Sequence, residues 1–222
     1  MVFALSRPGQ LRNGLVKSPC EDYSLYKQTE SCAVLAIADG HGDKTCTRAR
    51  FGALFACETA VDILSEFARN TENRTLSDNL AGSFESLFAE VKKTIVNTWR
   101  ERCLNDFQLS FPGRRKNAEE AISLYGATLI CVVITERYAL LLQQGDGRAF
   151  VVHGNGKTDM PVPWDHLCED NRTTSMCDND AAERFRHHLI DLTLDPVLAI
   201  NIESDGLEDS FSSLDQNAAW LN

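Results

Sequence analysis

The chain has 222 residues, 43% of them hydrophobic, and a formal net charge of −10. That length suits one large domain with its own core, and the acidic balance excludes a nucleic-acid binder, whose affinity rests on clustered Lys and Arg. No basic run exceeds Arg114-Arg115-Lys116, and the longest apolar stretch, Ala127 to Ile134, falls far short of the ~20 residues of a membrane helix. Eight cysteines occur without a C-x-x-C pair, which speaks against a zinc ribbon and for a reducing compartment; the cytoplasm is the expected location.

Taken in chain order, Tyr23 to Tyr26 is a short strand and Cys32–Ala38 a second one. Residues 44–69 predict a helix, with Phe51, Leu54, Cys57, Val61, Leu64 and Phe67 at three- and four-residue steps on a core face. A second helix is expected from Ser77, its N-cap, to Asn105, with Leu80, Phe84, Leu87, Val91, Ile95 and Trp99 as its stripe. Phe111 to Asn117 is a loop. Ala127–Thr135, Tyr138–Gln144 and Arg148–His153 read as strands. Their connections, Glu136-Arg137 and Gly145-Asp146-Gly147, are short enough for antiparallel hairpins. Residues 157–182 are polar and without periodicity, a short helix is expected over about 181–190, and Val197–Glu203 is the last strand. Strands in runs beside two consecutive long helices indicate an α+β fold, with helices packed on a mainly antiparallel sheet system.

Four acidic sites share one context. Glu21-Asp22 leads into the first strand, Asp39-Gly40 ends the second, Asp146-Gly147 lies between two apolar strands, and Asp205-Gly206 ends the last. An Asp just outside a buried strand lies at the rim of its sheet, and several at one rim make an oxygen-rich site suited to Mg²⁺ or Mn²⁺. Each Asp-Gly alone is ordinary turn chemistry. Asp39-Gly40-His41-Gly42 is less ordinary, because a helix follows it and not a return strand. His187-His188 cannot share one face of a helix, and Asp178-Asn179-Asp180 lacks the Gly and Glu of a calcium loop.

The order Glu21-Asp22, Asp39-Gly40-His41-Gly42, Gly126-Ala127-Thr128, Gly145-Asp146-Gly147-Arg148 and Ser204-Asp205-Gly206 resembles the metal-dependent Ser/Thr protein phosphatases of the protein phosphatase 2C type, in a bacterial-like short form. The resemblance implies a central β-sandwich flanked by helices in α-β-β-α layers, with two Mg²⁺ or Mn²⁺ ions in a cleft at one end. Asp39 would bridge both ions. Glu21 and the carbonyl of Gly40 would complete one site, Asp205 would hold the other, and Asp146 with Asp205 would offer a weaker third. Asp22 would hydrogen-bond waters at the ions, and His41 would protonate the leaving group. The implied activity is hydrolysis of phosphoserine and phosphothreonine in a phosphorylated protein substrate, by a metal-bridging hydroxide.

Two departures stand beside this likeness. The family usually places an Arg five residues before the position of Asp22, where it grips the phosphate; here that residue is Lys17, and Arg12 is the nearest substitute. The family also continues beyond the Ser-Asp-Gly motif to a last strand pair and a further Asp ligand, whereas Asn222 follows Gly206 by sixteen residues. The expectation is a single phosphatase-like domain over 1–222, truncated at its C-terminus and lacking its last strands. The alternative is a catalytically silent phosphatase-like domain that binds a phosphoprotein or another partner; a hydrolase of small phosphate esters is a third reading.

Overall fold

The computed structural model describes residue 4, residues 20–71, 80–169 and 172–208, and residues 212–213, 216 and 218–219. Five strands form one antiparallel sheet in the order β1-β2-β3-β4-β7: β1 Tyr23–Gln28, β2 Cys32–Ala38, β3 Leu129–Thr135, β4 Tyr138–Gln144 and β7 Arg186–Asp191. A second sheet has the order β6-β5-β8, from β5 Arg148–His153, β6 Thr158–Asp159 and β8 Val197–Glu203. Two long helices, α1 Ala49–Thr71 and α2 Leu80–Ser110, pack together, and α1 lies on β1, β2 and β3. Short helices α3 Ala118–Ile122 and α4 Ala181–Arg184 follow in the chain, and α5 Asp205–Glu208 continues from the end of β8. The whole is a mixed α+β sandwich of two antiparallel sheets flanked by helices, the α-β-β-α type.

The central strands are apolar on both faces because both faces are covered. Along β3 and β4, Leu129, Cys131, Val133, Leu140 and Leu142 point into the core beneath the helices. Ile130, Val132, Ala139 and Leu141 point into the core between the sheets, where they meet Ala149 and Val151 of β5. Period-two alternation therefore vanishes from these strands, as expected for buried ones. It returns in β2, where Val34, Ala36 and Ala38 are buried and their neighbours half-buried.

Several expectations need correction. The Gly145–Gly147 connection is no hairpin: β4 and β5 lie in different sheets, and the turn carries the chain from one to the other. Gly145 takes φ +101° there, and a Cβ on it would stand 2.5 Å from Thr128 Cγ2. The helix expected over 181–190 stops at Arg184, and Arg186–Asp191 is a strand that closes the large sheet beside β4. His187 and His188 thus face opposite sides of a sheet: His187 meets Phe88, Lys92 and Glu85 of α2, while His188 feels Asp159 and Asp195. Helix α1 starts at Ala49, not near 44, and Phe51 is 39% exposed, with the Arg48 guanidinium 4.0 Å over its ring. The expected N-cap Ser77 lies outside the described residues, as do the side chains of Leu80 and Phe84. All eight cysteines are free thiols.

Candidate active site

Antiparallel register gathers the acidic motifs at one rim. Tyr23 pairs with Ala38, so Asp22 and Asp39, one step beyond each, leave β1 and β2 at the same end. Ile37 pairs with Ile130 and Leu129 with Gln144, which brings the start of β3 and the exit of β4 to that end. In the second sheet Arg148 pairs with Glu203, so Asp146 and Asp205, two residues beyond each, are also neighbours.

The side chains meet accordingly. The half-buried Asp39 carboxyl lies within hydrogen-bonding reach of Asp22 and Asp205, and burial, then these two carboxylates, raise its proton affinity far above the usual range. Asp146 is raised by burial and by Asp205, and is opposed by Thr173 and His41. Burial lowers the proton affinity of His41, while Asp146, Asp178 and Asp43 pull it upward. The structure therefore brings together Asp22, Asp39, Asp146, Asp205 and His41. Glu21 sits differently: its backbone oxygen is 2.7 Å from where a Cβ of Gly40 would stand, and its carboxylate acts on the Cys46 thiol. Lys17 and Arg12 lie outside the described residues.

The backbone around Asp39 is braced from three sides. Its N–H donates to Thr128 Oγ1 at 3.0 Å, and Thr128 N–H donates to the Asp39 carbonyl at 2.8 Å. Gly40 bridges Ala127, and the N–H of His41 donates to Gly126 O at 3.0 Å. A Cβ on Gly126 would lie 2.5 Å from His41 Cδ2 and 3.1 Å from Cys46 Sγ, so the bare glycine is what lets the imidazole lie where it does. The irregular segment returns to the same place: Ser175 Oγ and Met176 N–H both donate to Ala127 O.

Thr128, Ser175 and Asp178 are the contributors that sequence reasoning left without a role at the site. Thr128 was visible only as part of a Gly-Ala-Thr motif. Asp178 stood in a polar stretch with no periodicity to place it.

The donor set is what a hard divalent cation takes: half-buried carboxylate oxygens. Among the described residues no group of three His, Cys, Asp or Glu side chains is arranged to hold a metal as it stands. The contacts on Asp39 are pairwise, and carboxylates without a cation between them repel. The residues thus fit Mg²⁺ or Mn²⁺ in the chemistry of their donors.

The family model for Protein phosphatase 2C matches residues 12–222. A bacterial serine phosphatase superposes with a TM-score of 0.57 at 16% identity, over 92% of this chain and 79% of that one. The S. agalactiae serine/threonine phosphatase gives 0.53 at 17% identity, over 98% and 89%. Staphylococcus aureus Stp1 gives 0.52 at 14%, over 96% and 85%. These likenesses are of fold. No curated protein sequence matches the chain. The chain belongs to the protein phosphatase 2C family.

Proposed function

We propose that this chain is a metal-dependent phosphatase that removes phosphate from phosphoserine and phosphothreonine in proteins, as one domain over 1–222 working in the cytoplasm. The observation that carries the reading is the convergence of Asp22, Asp39, Asp146, Asp205 and His41 on one rim of a phosphatase 2C fold. Asp39, between Asp22 and Asp205, would be shared by two cations, with Glu21 and the Gly40 carbonyl completing one site. Asp205 would hold the other, and with Asp146 would offer a weaker third.

Bound Mg²⁺ or Mn²⁺ would acidify a water and neutralise charge on the transferred phosphoryl group. The chain's own residues do the rest. Asp22 orients water. Lys17 or Arg12 grips the phosphate. His41 gives a proton to the departing seryl or threonyl oxygen, a step worth about 10²–10⁴-fold. Burial lowers its proton affinity, and an arriving phosphate dianion would push the other way.

The test is Mn²⁺-dependent hydrolysis of a phosphopeptide. Activity should vanish in EDTA and in Asp39→Ala or Asp205→Ala; a preparation without any such activity refutes the enzyme reading. One feature favours the silent, partner-binding alternative: Lys17 stands where the family usually has an Arg, and a lysine lacks the bidentate fork that grips a phosphate. Calorimetric titration with Mn²⁺ separates the two, since a silent domain would show no tight binding.

A further inference from the structure

The turn that carries Asp146 to the rim runs directly into the wall of a cavity. This cavity, of about 350 Å³, is lined by Gly147, Arg148, Met160, Val162, Trp164 and Arg186 among others. Its walls are largely apolar, and two guanidiniums share it. The Arg148 guanidinium lies 4.2 Å over the Trp164 ring and donates to the backbone oxygens of Asp146 and Gly147. Arg186 donates to Gly145 O and to Pro163 O, each at 2.6 Å. Its Nε is buried without a hydrogen-bond partner, 3.8 Å from the Asp165 carboxylate. That carboxylate is already engaged by the Thr174 hydroxyl at 2.9 Å and the Leu167 N–H at 3.0 Å.

Carbonyl contacts fix the direction of a guanidinium without cancelling its charge. Burial and the neighbouring Arg148 both work against the charge on Arg186, and Asp165 and Asp146 support it. An acceptor entering the cavity would relieve this crowding. Trp164 and Met160 are each 41% exposed, so the entrance is open. The apolar wall would suit a short aliphatic stem, and the guanidinium charge a carboxylate at its tip.

We propose that this cavity is a subsite for a glutamate side chain flanking the phosphorylated residue of the protein substrate. The proposal rests on the phosphatase reading, since the cavity begins one residue beyond Asp146.

The test uses phosphopeptides that differ at one flanking position in carrying Glu, Gln or Lys, assayed with Mn²⁺. At one flanking position kcat/KM should fall in the order Glu, Gln, Lys, by about fivefold per step. Arg148→Glu should invert the Glu-to-Lys preference. Trp164→Ala, a change at an exposed position, should shrink the Glu-to-Gln ratio toward one. Ratios are read within each variant, so a loss of overall turnover does not disturb them.

Equal use of Glu and Gln peptides at every position overturns the subsite. So do ratios unchanged in both variants. If p-nitrophenyl phosphate and all peptides resist hydrolysis, the phosphatase reading fails instead. The subsite is then read in EDTA from Trp164 fluorescence, identified by its loss in Trp164→Phe. Quenching by the Glu peptide and not by the Gln peptide supports it, and equal quenching overturns it.

Discussion

Gly126 shows how little space the site leaves. A methyl group there would stand 2.5 Å from the His41 ring, and the ring must then turn away. Gly126→Ala should lower the melting temperature only modestly, because the φ of −47° is negative and the atoms that must give way are the His41 ring and the Cys46 thiol, not backbone. Turnover should fall about 10- to 100-fold as His41 loses its aim. If His41 is the group affected, the double variant with His41→Ala should be no worse than His41→Ala alone, which steady-state kinetics reads directly.

Asp39 carries the opposite tension, between stability and function. Its folded-state proton affinity is raised by burial and by Asp22 and Asp205. The native state therefore keeps a proton that the unfolded chain has released above the ordinary carboxylate range. Stability falls as pH rises through that window. In EDTA, Asp39→Asn should raise the melting temperature, and by more at pH 8 than at pH 5. The same change should abolish activity. A variant that melts lower than the parent at pH 8 would show that the crowding is not felt.

At the scale of elements, His153 ties the small sheet to its surroundings. Nδ1 lies 2.9 Å from Asp195 in the β7–β8 turn, and Nε2 lies 3.1 Å from Asp159 of β6. Lys157 holds the other Asp159 oxygen at 2.7 Å, and His188 looks on from β7. The hydrogen bonds to Asp195 and then Asp159 raise the proton affinity of His153. A raised histidine contributes stability below its unfolded pKa of about 6.5, and loses it as pH rises through the folded value. His153→Gln should lower the melting temperature clearly at pH 6 and hardly at pH 9, in matched thermal scans. Strand β7 teaches a related lesson. The six residues from Arg186 to Asp191 alternate too weakly to announce a strand, and the polar pair His187-His188 hides them. They form one because β4 offers an open edge.

At the scale of the whole molecule, the residues proposed to hold metal come from both sheets: Glu21 and Asp39 from the ends of β1 and β2 in the five-stranded one, Asp205 from the end of β8 in the three-stranded one. A cation held between them would tie the layers together. Mn²⁺ should therefore stabilise the fold, by about 2.7 kcal/mol at a hundredfold excess over Kd. Most of that gain should be lost in Asp205→Asn, as thermal unfolding with and without Mn²⁺ would show. Among the described residues no helix is long and apolar enough to cross a membrane.

Local chemistry made much of this protein legible before any coordinates. Strands β2, β4, β5 and β8 were readable to the residue, because apolar runs bounded by Gly, Asp and charged pairs leave few alternatives. The five ordered motifs pointed to the family for the same reason: each sits at a strand end. What needed tertiary structure was every pairing between distant segments. The Gly145–Gly147 turn had the length of a hairpin, and only sheet packing made it a crossing between layers. Asp178 and Ser175 reach the site through a segment with no period of its own, held by contacts with Ala127. The sequence by itself determined which residues stand at strand ends and what chemistry they carry. The tertiary structure alone decided which ends meet, because register and sheet order follow from how two cores are filled at once, and no single stretch of chain contains that information.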